Sequence, residues 1–260
     1  MTNRTVTDHA RIALACLDLT SLNDADTDAA VAALCERATG RRGPVAAVCV
    51  WPRFARLARD HVAPVVKVAA VANFPEGTTD VERTRRDVGV IVQAGAQEVD
   101  VVLPYRALLA GDEASCAAVL RAARHDSNGL TLKVILETGA LQDDTLIARA
   151  ARLALAEGAD FLKTSTGKTP ISATLQAATV MLEAIAAETT SARLRVGFKA
   201  SGGIRSVASA ANYIDEVARV LGDEALTPAR FRIGASSLLD DIEAVLAGAP
   251  GKPDVPLGTY

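Results

Sequence analysis

Several short apolar runs in this chain carry charged residues where a buried strand should carry none. In LTLKVILE, Leu130, Leu132, Val134 and Leu136 share one parity, while Thr131, Lys133, Ile135 and Glu137 share the other. QEVDVVL alternates Val99, Val101 and Leu103 with Glu98, Asp100 and Val102; LRVGFKA alternates Leu194, Val196 and Phe198 with Arg195, Gly197 and Lys199. Lys163 holds a similar place near the end of ADFLKTS. Successive strand side chains point to opposite faces, so if helices cover the apolar parity the charged parity faces inward. Asp100, Lys133, Lys163 and Lys199 then converge on one enclosed space. Buried charges are costly unless they pair or change protonation. An internal salt-bridge network is one explanation, but buried ion pairs seldom offset their own desolvation. Three lysines against one aspartate leave excess positive charge. That excess suits lowering a lysine pKa, since one ammonium beside another favours a neutral amine able to attack a carbonyl.

Two further segments suit an anion. Ser201-Gly202-Gly203 opens onto a helical stretch near 206, and Gly234-Ala235-Ser236-Ser237 precedes another, with a serine placed to cap it. Ordinary turn and N-cap chemistry explains either segment alone. Their position after the seventh and eighth strands of a barrel is where a phosphate is usually held. SerThrGlyLysThr at 165–169 is not a P-loop, because Leu162 stands where that motif needs glycine. Gly167 and Lys168 still suit a phosphate contact beside the Lys163 strand; a solvated loop lysine is the plain alternative for Lys168. No GxGxxG follows the first strand, and the three histidines and four cysteines are too scattered for a metal motif. Neither cofactor nor metal is expected.

Positioning these residues requires a repeating strand–helix frame. β-branched runs alternate with longer Ala-rich amphipathic segments, which predicts βαβ units and a parallel sheet. Strands are expected near 12–17, 45–50, 65–71, 97–102, 130–136, 160–164, 194–199 and 231–234. Helices are expected near 27–39, 53–60, 79–94, 113–125, 143–157, 173–187, 206–220 and 237–247. Eight pairs within 260 residues predict a single-domain (β/α)8 TIM barrel over residues 1–247, followed by a flexible Gly- and Pro-rich tail, 248–260. Half the residues are hydrophobic but only 3% aromatic, so the core must be aliphatic. The net charge of −3 comes without a basic block, which argues against nucleic acid or membrane-surface partners. No apolar segment reaches membrane-spanning length and the first residues lack a signal-peptide core, so a cytoplasmic location with reduced thiols is expected.

The segments LDLTSLND (17–24), VCVWPRF (48–54), NFPEG (73–77), EVDVVLPYRALLAGD (98–112), LKVILETG (132–139), DFLKTSTGK (160–168), VGFKASGGIR (196–205) and FRIGASSL (231–238) together resemble the deoxyribose-phosphate aldolase family. The resemblance spans nearly every strand end from residue 17 to 238. It implies a class I aldolase acting on a small phosphorylated sugar and an aldehyde, with Lys163 forming the Schiff base. It further implies Lys199 as the neighbour that depresses the Lys163 pKa, Asp100 as proton shuttle and Lys133 as support. Asp18 is implied at the substrate's hydroxyl end. Gly167, Lys168, Gly202, Gly203, Ser236 and Ser237 match phosphate-binding positions. A terminal tyrosine, Tyr260, matches one branch of the family and is expected to exchange a proton with the enamine carbon. A homodimer is the expected assembly. Another lysine-dependent phosphosugar aldolase or transaldolase, or a non-catalytic phosphosugar-binding barrel, are the competing readings.

Overall fold

In the computed structural model, residues 4–188 and 196–254 are described. Eight strands close into a barrel: β1 (Leu17–Ser21), β2 (Ala47–Val50), β3 (Lys67–Ala72), β4 (Glu98–Val102), β5 (Thr131–Ile135), β6 (Phe161–Lys163), β7 (Gly197–Ser201) and β8 (Phe231–Ala235). Each pairs in parallel with its chain neighbours, and β1 closes the ring against β8 through Leu17–Ile233, Asp18–Gly234 and Leu19–Ala235. The (β/α)8 barrel is thus the architecture, with helices between successive strands. Those helices start where polar side chains accept from an orphan backbone N–H. Thr27, Asp80, Asp112, Asp143, Thr174 and Ser206 each cap one in this way, a contact worth ~1 kcal/mol apiece. Because each helix follows a strand, these caps all lie at the rim where the strands end.

The outward parity of the strands packs against the helices with the expected aliphatic residues, all buried: Val99, Val101, Leu132, Val134 and Leu162 among them. Phe198 and Phe231 stack with centroids 6.5 Å apart.

One expected strand is absent. Residues 12–17 do not form a strand; Val6–Ala15 is a helix and β1 begins at Leu17. A capping box explains the helix: Thr5 accepts from the Asp8 N–H, and Asp8 accepts from the Thr5 N–H. His9, Ala10, Ala13 and Leu14 then fall on one buried face, packed against the helices Val207–Leu221 and Leu238–Leu246. Two short helical turns, Tyr105–Leu109 and Thr138–Leu141, and a minimal hairpin, Thr39–Gly40 with Gly43–Pro44, were likewise not expected.

After the last helix the chain turns back along it. The Lys252 N–H donates to Asp241 in that helix's first turn, and Asn212 Nδ2 donates to Asp254. Tyr260 lies outside the described residues. No helix among the described residues is long and apolar enough to cross a membrane.

Candidate active site

The inward parity of six strands carries ions instead of an apolar filling. Asp100 Oδ1 accepts from Lys133 Nζ at 2.8 Å, and that ammonium also donates to Glu98 Oε2 at 2.5 Å. Glu98 Oε1 accepts from Arg232 Nη2 at 2.7 Å, while Arg232 Nη1 reaches Asp18 Oδ1 at 2.6 Å. Asp18 Oδ2 accepts from Lys199 Nζ at 2.5 Å, and Lys199 returns to Asp100 Oδ2 at 2.8 Å. The six side chains form a closed ring of three carboxylates and three cations, all buried. Lys163 Nζ is attached from outside the ring, donating to Asp100 Oδ2 at 2.8 Å.

This corrects the charge balance expected from sequence. Asp100 is not alone among lysines, since Glu98 and Asp18 join it, and Arg232 joins the cations. The ring is neutral, and Lys163 is the one surplus cation. Arg232 and Glu98 were missed as members, although each stands on the inward parity of its strand. The lone charge within FRIG and the second charge within QEVDVV are enough signal when parity is followed on every strand.

Burial disfavours every one of these charges, yet their partners outweigh it. Lys133 and Asp100's other cations hold the Asp100 carboxyl well below the usual carboxylate range, against its desolvation. Lys199 is likewise penalised by burial but held above an ordinary lysine by Asp100 and Asp18. Asp18 and Glu98 are lowered by their cations in the same way. The ring therefore stays fully ionised over a broad pH range.

Above Lys163 lies a cavity of about 330 Å³ at the carboxyl ends of the strands. Lys163 is 3% exposed and forms part of its wall. The Gly167, Lys168, Gly202, Gly203, Ser236 and Ser237 positions all line the same space, with Thr20 and Asn23. Gly167 and Gly202 sit back to back, so that a Cβ on Gly202 would stand 3.4 Å from Gly167 Cα. Ser237 occupies the N-cap position of Leu238–Leu246 but makes no capping bond, which leaves its hydroxyl for another acceptor. Lys168 Nζ lies 4.0 Å from Asp24 across the rim. Four expected site residues do not line it: Asp18, Asp100, Lys133 and Lys199 are fully buried beneath the cavity. Asp18 in particular has both oxygens engaged by Lys199 and Arg232.

A carbonyl compound entering this cavity meets one primary amine at its floor, with a carboxylate and a second ammonium directly behind. Glycine and hydroxyl loops line the opposite wall, as an oxyanion requires. Among the described residues no group of three His, Cys, Asp or Glu side chains is placed to hold a metal.

Comparison with known proteins agrees with this geometry. A family model described as DeoC/LacD family aldolase matches residues 12–243. A deoxyribose-phosphate aldolase from Agrobacterium fabrum is 44% identical over 250 residues, covering 94% of this chain and 93% of that protein. A solved structure from Toxoplasma gondii ME49 superposes with a TM-score of 0.84 at 26% identity, covering 94% of this chain and 96% of its own. A tetrameric deoxyribose phosphate aldolase from Aeropyrum pernix gives 0.68 at 25% identity, over 93% of this chain and 92% of that one.

Proposed function

The chain belongs to the DeoC/LacD family of aldolases, and from that premise we propose that it reversibly cleaves 2-deoxy-D-ribose 5-phosphate to D-glyceraldehyde 3-phosphate and acetaldehyde through a Schiff base on Lys163. The observation that carries this reading is the surplus position of Lys163. The ring beneath it is neutral, so loss of a proton from Lys163 leaves the barrel interior without net charge. Loss from Lys133, Lys199 or Arg232 instead opens an ion pair. Lys163 is also the one member of the cluster that borders the cavity.

The neutral Lys163 amine attacks the aldehyde carbon of the open-chain sugar and water departs, giving a protonated imine. That imine is an electron sink. The C3 hydroxyl gives up its proton, the C2–C3 bond breaks, and its electron pair flows into the imine as an enamine. Glyceraldehyde 3-phosphate leaves, C2 takes a proton, and hydrolysis of the second imine releases acetaldehyde. Asp100, bonded to both Lys163 and Lys199, is the group we assign to carrying these protons with Lys199. Between transfers Lys199 is protonated, held so by Asp18 and Asp100, and its charge then discourages a second ammonium on Lys163. Lys133 positions Asp100. The phosphate is assigned to Gly167, Lys168, Gly202, Gly203, Ser236 and Ser237. Assembly as a homo-oligomer is part of the same reading.

The test is borohydride trapping in the presence of acetaldehyde. The wild-type chain should gain one ethyl group on the peptide containing Lys163. Lys163→Ala should gain none and lose cleavage activity by more than about a thousandfold. An adduct that survives in Lys163→Ala, or appears on another lysine, refutes the assignment.

A further inference from the structure

We propose that Glu98 and Arg232, at the edge of the ring remote from the substrate cavity, govern as opposed charges how readily Lys163 gives up its proton. The proposal rests on Lys163 being the nucleophile, as argued above. Neither residue lines the substrate cavity. Both border a second cavity of about 580 Å³ at the opposite mouth of the barrel. They are positioning residues, and whatever they do to the reaction is done through the ring.

The construction around Arg232 is specific. Its Nη2 and Nη1 fork onto Glu98 at 2.7 and 3.1 Å, its Nη1 reaches Asp18 at 2.6 Å, and its Nε donates to the Pro228 carbonyl at 2.5 Å. The guanidinium lies 5.7 Å from the Phe161 ring centroid. A Cβ on Gly197 would stand 2.2 Å from that ring, so the neighbouring strand carries glycine to make room for it. If the pair served only to hold the barrel together, apolar side chains of similar volume would do as well or better. What apolar residues cannot do is set a potential.

Charged and titratable groups surround Lys163 in two layers. Asp100 on β4 bonds it, Cys49 on β2 and Glu137 beyond the end of β5 feel its charge, and Lys199 on β7 shares the same Asp100 oxygen. Lys133 on β5 and Asp18 on β1 stand one ion pair further out. Glu98 and Arg232 stand outside this set; they close the ring between Lys133 and Asp18 and supply it with one charge of each sign. From Lys163 the path to Glu98 runs through Asp100 and Lys133 by contacts of 2.8, 2.8 and 2.5 Å, which sets the Glu98 charge no more than roughly 10 Å from the Lys163 ammonium. At that range an uncompensated charge in a protein interior shifts a titration by on the order of one pH unit.

The signs are opposite, and that distinguishes tuning from scaffolding. Glu98→Gln removes a negative charge, so the Lys163 ammonium is less favoured and its titration midpoint falls. Arg232→Gln removes a positive charge and the midpoint rises. The double variant restores neutrality and the midpoint returns towards that of the wild type. Arg232→Lys keeps the charge without the fork and leaves the midpoint in place.

The experiment is competitive acetylation with acetic anhydride across pH, followed at the Lys163 peptide by mass spectrometry. Shifts of about one unit in opposite directions for the two single variants, reversed in the double, are expected. Equal midpoints in all variants, or single-variant shifts of the same sign, overturn the proposal. If Arg232→Gln does not fold, Glu98→Gln and Arg232→Lys decide alone: the first must move down and the second must stay. The readout needs no aldolase turnover. Normal acetylation of Lys163 without an acetaldehyde adduct would therefore sink the Schiff-base assignment, whereas unmoved midpoints with an intact adduct would sink only this proposal.

Discussion

Glu137 is the residue whose conformation is least expected from its type. It stands just past β5, at the N-cap position of the turn Thr138–Leu141, in the left-handed region, φ 56° and ψ 58°, which costs a non-glycine residue about 1–2 kcal/mol. The turn swings its buried carboxyl onto the loop after β6, where it accepts from Thr166 Oγ1 at 2.5 Å and Thr169 Oγ1 at 3.2 Å. Burial pushes its pKa above the ordinary 4.5, against the lowering effect of those threonines and of Lys163. The folded state thus binds its proton more tightly than the unfolded chain does. This group's contribution to stability is full below pH 4.5 and declines as pH rises towards its higher folded value. Glu137→Gln imitates the protonated acid, its oxygen facing Thr166 and its amide facing the Thr169 hydroxyl. Its stability relative to the wild type should accordingly improve from about pH 4 to pH 8. Thermal denaturation at both pH values measures it; a constant difference would place the charge elsewhere. Glu137→Ala loses the loop contacts and should be destabilised at every pH.

The loops after β6 and β7 depend on one another through glycine. Gly202 has φ +91°, and a Cβ there would stand 2.5 Å from Ser172 Cβ. Gly202→Ala should therefore displace the loop bearing Gly167 and Lys168. We expect KM for the phosphorylated sugar to rise about tenfold or more, with turnover of the unphosphorylated sugar nearly unchanged, because binding common to ground and transition states is what is lost. Equal losses on both substrates would mean that the loops shape the barrel and do not hold the phosphate. Most of this was legible in sequence, since β-branched runs and capping residues place the strands from β2 to β8 to within a few residues. The first strand was not. RIALAC is apolar enough to pass for a strand, and the deciding signal was the Thr5–Asp8 pair upstream. Asp18 interrupts the true β1 with a charge, the same inward signal that Lys133 and Lys199 give. Inward parity brought Asp100, Lys133 and Lys199 together correctly; only the geometry disclosed that Asp18 lies beneath the cavity with its oxygens already engaged. The left-handed turn at Glu137 has no composition signal, because it follows from how two neighbouring loops interlock.

At the scale of the whole molecule the barrel has two unlike mouths. Helix N-termini, glycine loops and Lys163 gather at one; the other is bordered by Glu98 and Arg232 under the end of the helix Val6–Ala15. The segment after Gly248 climbs back towards the first mouth as far as Asp241 and Asn212. Between the mouths, the ring's counter-ions are all built into the wall, and no dissolved ion need enter to balance it. Ionic strength therefore acts on only one half of the process. Lys168, with 31% of its side chain exposed, meets an incoming phosphate through water, where screening shortens the reach of charge from ~10 Å at 0.1 M to ~3 Å at 1 M. The carboxylates and ammonium groups beneath it are in direct contact and sealed from solvent. Between 0.1 and 1 M sodium chloride, KM for the phosphorylated sugar should rise roughly threefold or more, while the midpoint of Lys163 acetylation moves by less than about 0.3 pH units. A midpoint that drifted with the medium would mean that water reaches the ring. Otherwise brine and fresh water differ for this molecule only in how far away it can sense a phosphate, and the acidity of its amine is the same in both.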